Sequence, residues 1–546
     1  MSNIIFEDLN KNKDRYPNGR RYTDEMIDYC FLIKNGPNPC VKTLKNRREE
    51  DIDKLKNEIV NDGEMNEVIK MRLDGCNQNG EKIKAVLSID AIEIALFKKV
   101  TELIKNLFLL FLIPVNIPEK PFPVKVIIHE NGKVGKNMLD IINEKIAQTF
   151  FENPLIDLQY KAVDGDSGYN SEFKYFVENG MNGLSEFVDQ LKADMLQKKR
   201  WLILTDMVHF LKNRRPQLII SSLEINEMQV FVECLENVLF QSAAILDTSS
   251  LSKLQDTFPN EIFNFQVFLG VLECGNYDLA FYLFPITCWN ETANNNLIGK
   301  NTRLFLMECA LYGFSKFYEI QLSTGEKMEI MPQIAIKRAF STIALIWKEF
   351  KDSKGIFKFA EFGTMLQEHY HGLLRGMARG VDTLDNTINC IVKSNIVMDI
   401  QSRNGMNFRK KTRYSVGGIH FDPEKHTLDI PFEYEPKIII EKLFQLSSYG
   451  EDHDDADIFV IQLKSFLDII SKGSLRIRCT NKHFHYGRRI VSREITNYKE
   501  SQSSAEINEE DDVNEEDDDD LHYRYEINQI EKLLNEEEEE LNENDN

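Results

Sequence analysis

Between Lys82 and Asp206 the chain alternates in a way that few folds satisfy: three strand-like segments in succession, then helix, strand, helix, strand and helix. KIKAVLSIDAIEI, NLFLLFLIPV and FPVKVIIHE have the period and the β-branched, aromatic composition of strands. Gly132 and Gly135 mark the turn into a helical pattern, KNMLDIINEKIAQTF. LIDLQYKAVD reads as a fourth strand, residues 171–199 as helical and RWLILTD as a fifth strand, with a helix opening near Asp206.

The flanks read differently. Residues 216–360 are helical and apolar, with LEINEMQVFVECLENVLF, EIFNFQVFLGVLE, TRLFLMECALYGFSKFYEI and QIAIKRAFSTIALIWKEF as the clearest pieces, and predict an all-α insertion of one domain's length. A further helix is expected from about Phe362 to Met377. Residues 403–475 are mixed and interrupted by the acidic stretch GEDHDDAD, taken as a loop. Before the strands, RYTDEMIDYCFLI predicts a short amphipathic helix behind a Thr/Asp cap, followed by a charged connector. The expected division is therefore a helical N-terminal module and linker over 1–75, the first part of an α/β core over 76–215 and an all-helical insertion over 216–360. The core's final helix then occupies 361–402, a basic C-terminal region 403–500 and an acidic disordered tail 501–546.

A formal charge of −22 over 546 residues argues against nucleic acid as a partner until it is located. Residues 501–546 hold 20 Asp/Glu against Arg524 and Lys532, which leaves only −4 over residues 1–500. Local basic patches in such a body can bind phosphate. The strongest is SKGSLRIRCTNKHFHYGRRIVSR, which carries Arg476, Arg478, Lys482, Arg488 and Arg489 without an acidic residue and interleaves Phe484 and Tyr486. A second is Arg409, Lys410, Lys411 and Arg413. Either patch reads equally as solvated surface. The acidic tail can compete with DNA for such patches or simply solubilise the chain. Nine cysteines without CxxC spacing argue against a disulfide framework and a zinc finger, and the trio Cys479, His483 and His485 reads as accidental. The longest apolar run, Leu107 to Ile113, falls far short of the roughly 18 residues of a membrane span, so no membrane segment is expected.

Four features carry chemistry. Asp90 stands among Val, Leu and Ile in a strand, where a carboxylate is costly unless paired, metal-bound or turned to solvent. Asp164 and Asp166, in VDGDSGYN, follow a predicted strand, at the end where α/β sheets bind ligands, although Asp and Gly also suit a plain turn. In TDMVHFLKN, Asp206, His209 and Lys212 share one helical face, with Thr205 a plausible cap. In LQEHYHGLLRGMARG, Glu368, His371, Gly372 and Arg375 share another, which reads either as functional or as an exposed polar stripe.

Taken in order, these features resemble the P-element-type branch of eukaryotic DDE/D transposases, and the order of the elements is similar to that of an RNase-H-like core. The resemblance implies an RNase-H-like mixed sheet interrupted by a large helical insertion, with catalytic carboxylates at Asp90, Asp164 and Glu368. Asp166 is the alternative second ligand, Asp206 and His209 are supporting residues, and Arg375 is placed to hold a phosphate. It further implies a two-metal site for Mg²⁺ or Mn²⁺, cleavage and strand transfer of double-stranded DNA at element ends, a homo-oligomer and a nuclear location. Asp90 would bridge both ions, with Asp164 on one and Glu368 on the other. Two departures stand out: no zinc-binding finger precedes the helical region, and LIGKN lacks the P-loop pattern, having Asn301 and Asn294 where Ser/Thr and the first Gly belong, so GTP is not expected. A relative of such enzymes that binds DNA or a partner without cutting is the alternative.

Overall fold

The computed structural model describes residues 82–94, 105–115, 122–129, 153–163, 173–207, 209–211, 213–214, 262–295, 297–324, 331–359, 362–363, 420–425, 428–449 and 454–471, with isolated positions at 69, 73 and between 140 and 150. All of them belong to one compact unit, residues 1–242 with 256–476; a second unit, 243–255 with 477–546, lies outside the described residues.

Five strands form one mixed sheet in the order β3-β2-β1-β4-β5. β1 (Ile83–Ile94) pairs antiparallel with β2 (Lys105–Pro114), and β2 pairs antiparallel with β3 (Phe122–His129). β4 (Ile156–Val163) lies parallel to β1 on its other side, and β5 (Leu202–Thr205) lies parallel to β4. The sequence explains the centre of this arrangement. Ala85, Val86, Leu87, Ser88 and Ile89 are all buried in succession, which requires a strand covered on both faces. Pro123, which cannot donate to a ladder, sits on edge strand β3, where the register with β2 shifts between Leu110 and Phe111.

The described residues between 140 and 150 are helical, as are those between 207 and 214 after β5. Between β4 and β5, the helical expectation for 171–199 is corrected at its start. Residues 173–176 are irregular, Val177–Asn179 is a single 3₁₀ turn, and the α-helix α1 (Leu184–Gln197) begins only after Gly183, whose φ of 64° suits glycine.

Among the described residues four helices follow: α2 (Phe265–Glu273), α3 (Tyr277–Asn294), α4 (Lys300–Thr324) and α5 (Gln333–Asp352). Asn264 caps α2, its side chain accepting from Gln266 N at 3.0 Å and Val267 N at 3.1 Å, and Asn276 caps α3 through Leu279 N. Every residue of α3 from Leu279 to Ala293 is buried, as expected of a helix with no polar face. Near the end of the stretch expected to be an all-α insertion, Phe357–Lys358 forms a short strand, β6, antiparallel to β7 (His420–Phe421). Helices α6 (Pro436–Tyr449) and α7 (Asp454–Ser471) then return to the earlier ones, with Phe281 against Phe444 at 5.5 Å and Phe305 against Phe466 at 5.5 Å. The second half of GEDHDDAD is therefore not loop. Its aspartates open α7, where negative charge is favourable.

Candidate functional site

The parallel register of β1 and β4 sets the geometry. Ile89 pairs with Val163, and Val163 in turn pairs with Thr205 of β5, so the three parallel strands run level at this point. Beyond it β1 continues through Asp90, whose backbone lies opposite Leu109 of β2. β4 ends at Val163, the residue before Asp164 in the chain. Beyond Thr205, Asp206 stays tied to the sheet, its N–H donating to the carbonyl of Val163 at 3.2 Å.

Asp206 is 1% exposed, and its carboxylate accepts from the backbone N–H of His209 at 3.1 Å through Oδ1. It is thus the side chain that closes the start of the helix after β5, the role assigned from sequence to Thr205. Thr205 instead donates its backbone N–H to the hydroxyl oxygen of Thr342 on α5 at 3.1 Å. Gly363 packs on the other carboxylate oxygen, where a Cβ would lie 2.6 Å from Asp206 Oδ2. The chain leaving β6 therefore comes back against the end of β5, five residues before Glu368.

The seating of the sheet on the helices depends on Glu349 of α5, which meets β1 at Lys84, six residues before Asp90. It is 5% exposed, accepts from Lys84 of β1 at 2.8 Å and from the Tyr160 hydroxyl of β4 at 2.8 Å, and also accepts from Lys192 of α1. Burial pushes its pKa up, but Lys192 and Lys84 outweigh burial and hold it at about 2. The Tyr160 phenol is pushed well above its usual value, first by burial and then by Glu349. One carboxylate thus joins β1, β4, α1 and α5. Phe362 extends the contact, its ring 6.2 Å from that of Tyr160 and 5.2 Å from that of Phe357.

Of the residues expected to form the site, the backbone of Asp90 and all of Asp206 and His209 are described, and they lie at one end of the sheet. Asp164, Asp166, Lys212, Glu368, Arg375, and the basic residues Arg409, Lys410, Lys411, Arg476, Arg478, Lys482, Arg488 and Arg489 lie outside the described residues. Among the described residues no group of three or more His, Cys, Asp or Glu side chains converges. No described helix is long and apolar enough to cross a membrane.

The glycine and lysine of LIGKN have structural partners. Gly299 N donates to the carbonyl of Leu428 at 2.8 Å, Thr302 N to Asp429 Oδ1 at 2.9 Å, and Lys300 Nζ to the carbonyl of Lys351 at 3.0 Å. The start of α4 is therefore engaged by the carboxylate of Asp429. Sequence reading missed Glu349, Asp429 and Gly363. Glu349 lies in an amphipathic helix among other charges, Asp429 is 127 residues from its partner, and Gly363 carries no local signal beyond being glycine.

The class these elements define is a mixed α/β protein whose five-stranded sheet is followed by a long helical segment. No family model and no curated protein sequence matches the chain. Among solved structures it is similar to the Drosophila P element transposase strand transfer complex, at 12% identity and a TM-score of 0.42, over 74% of this chain and 99% of that chain.

Proposed function

We propose that the protein is a DNA transposase-type nuclease with an RNase-H-like core, cutting and joining double-stranded DNA through carboxylates at Asp90, Asp164 and Glu368. The observation that carries this reading is the sheet. An order of 3-2-1-4-5, with β1 to β3 antiparallel and β4 and β5 parallel to β1, is the strand arrangement of that fold class. Its register supports the choice of residues. Ile89 pairs with Val163, Asp90 is the next residue on β1, and Asp164 is the next residue in the chain after β4. Glu368 follows Gly363 by five residues, a length of chain that reaches at most roughly 18 Å from the contact with Asp206.

An oxygen-only donor set suits Mg²⁺ or Mn²⁺ rather than zinc. When bound, such ions lower the barrier to in-line displacement at phosphorus by stabilising the attacking and leaving oxygens. The carboxylates of Asp90, Asp164 and Glu368 would hold them, with Asp166 the alternative to Asp164. Asp206 stands behind this set as the residue that fixes the helix after β5, and His209 is held by it. Arg375 and the two basic patches take phosphates of the DNA, the helical segment is an insertion in the core, and the enzyme works as an oligomer in the nucleus.

The test is incubation of purified protein with supercoiled plasmid and Mg²⁺ or Mn²⁺, with Asp90→Ala and Glu368→Ala alongside. Metal-dependent nicking that falls at least about a hundredfold in both variants is expected, since each removes an anchor of the reacting centre. Nicking that survives both substitutions contradicts the assignment. Binding of DNA without nicking by the wild type favours the second reading, a relative that recognises DNA and does not cut it.

A further inference from the structure

Among the described residues two arginines are deeply buried, and they are treated in opposite ways. Arg303 of α4 is fully buried and satisfied: its Nε donates to the carbonyl of Ile298 at 3.1 Å, and its terminal nitrogens donate to the carbonyls of Thr292 and Asn295. Its guanidinium also lies 5.3 Å from the ring of Phe359 and 5.5 Å from that of Phe421. Burial lowers its pKa to about 9, and Glu291 opposes that fall.

Arg214, on the helix after β5, is 5% exposed, and its Nε and Nη1 have no hydrogen-bond partner. Its guanidinium lies 5.4 Å from the ring of Phe210, which meets Phe314 of α4 edge to face at 6.0 Å. Burial pulls its pKa down and Tyr282 of α3 acts the other way. The Tyr282 phenol is itself pushed up to about 12 by burial, so it is neutral at pH 7 and supplies no counter-charge. A guanidinium keeps its charge in proteins, and a buried charge without an anion is among the costliest arrangements a fold can hold. The described neighbours Phe210 and Tyr282 are aromatic and phenolic.

We propose that Arg214 is the binding group of an oxyanion site, of phosphate class, between the helix after β5 and helices α3 and α4. Phosphate offers several acceptor oxygens to these donors and matches a guanidinium in a two-point contact along either edge that includes Nη2. The site uses none of the carboxylates Asp90, Asp164 and Glu368, and its test does not depend on nuclease activity.

The experiment is thermal unfolding of the full-length protein in chloride buffer, with inorganic phosphate replacing chloride at constant ionic strength and, in a second arm, with a short DNA duplex added. The wild type gains a few degrees in Tm and saturates, because an anion that binds only the folded state stabilises it by mass action. Arg214→Met melts higher than wild type in chloride, having lost an unpaired charge, does not respond to phosphate, and keeps with duplex only the rise that the basic patches and the carboxylate site supply. Arg214→Lys keeps the charge without the planar fork and responds less than wild type, which decides the matter if the methionine variant fails to fold. An Arg214-dependent rise with phosphate alone upholds a site for a small anion, and a rise with duplex alone upholds one for a backbone phosphate. Equal responses in wild type and variants, or no response to either probe, overturn the proposal.

Discussion

Glu349 shows how a single ionised side chain holds two layers together. Its carboxylate, which accepts from Lys84, Lys192 and Tyr160, is stable only in the ionised form while those cations are near. Replacing it by Gln keeps an acceptor for Tyr160 but strands the largely buried Lys192, and is expected to cost about 2–4 kcal/mol in denaturant unfolding, the half-exposed Lys84 adding little. The sign of the pH dependence follows from the direction of the shift. The folded pKa of about 2 lies below the unfolded value of 4.5, so the contribution is fully present above pH 4.5 and is lost as pH falls towards about 2. Glu349→Gln should therefore be flatter than wild type over that acid window. An unchanged slope would show that the ion pairs do not form. Asp206 makes a second residue-scale prediction. Because its carboxylate serves as a cap, Asp206→Asn retains an acceptor for His209 N and should keep stability within about 1 kcal/mol, with nicking retained. Loss of nicking in a variant that melts like wild type would make Asp206 a metal ligand instead.

At the level of elements, α3 and α4 meet where both are least able to accommodate bulk. A Cβ on Gly313 would lie 2.5 Å from Cβ of Pro285, so the pyrrolidine ring on α3 occupies the space that glycine leaves on α4. Gly313→Ala improves helix propensity by about 1 kcal/mol, but the clash should dominate and destabilise the protein by about 1–3 kcal/mol. A variant more stable than wild type would mean that the helices separate freely there. The five strands were legible in the sequence because each carries its own apolar pattern, and β1 is the clearest, since burial on both faces demands an unbroken apolar run. The late start of α1 was not, because Phe173, Phe176 and Val177 supply apolar residues to the core without forming α-helix. The start of α7 was missed for a different reason. Consecutive aspartates suggest solvated loop in isolation, and only the helix that follows turns them into favourable first-turn charges. At this end of the sheet, the strand that carries Asp90 was legible from its apolar pattern, whereas the packing of Asp206 depends on a glycine 157 residues away, which no local pattern encodes.

For the whole molecule, the central claim is that Asp90, Asp164 and Glu368, widely separated in the chain, share one metal site. The sheet register brings β1 and β4 together and Gly363 returns the chain to β5, so the claim is one of convergence and can be tested without any nuclease activity. Fe²⁺ with ascorbate and peroxide generates oxidants that cut the backbone beside a bound ion, so the full-length protein can report its own ligands. The proposed site predicts fragments from cuts near residues 90, 164 and 368 together, all suppressed by excess Mg²⁺ and all lost in Asp90→Ala. Cutting near residue 90 with none near residue 368, or cutting that Mg²⁺ does not suppress, would contradict it.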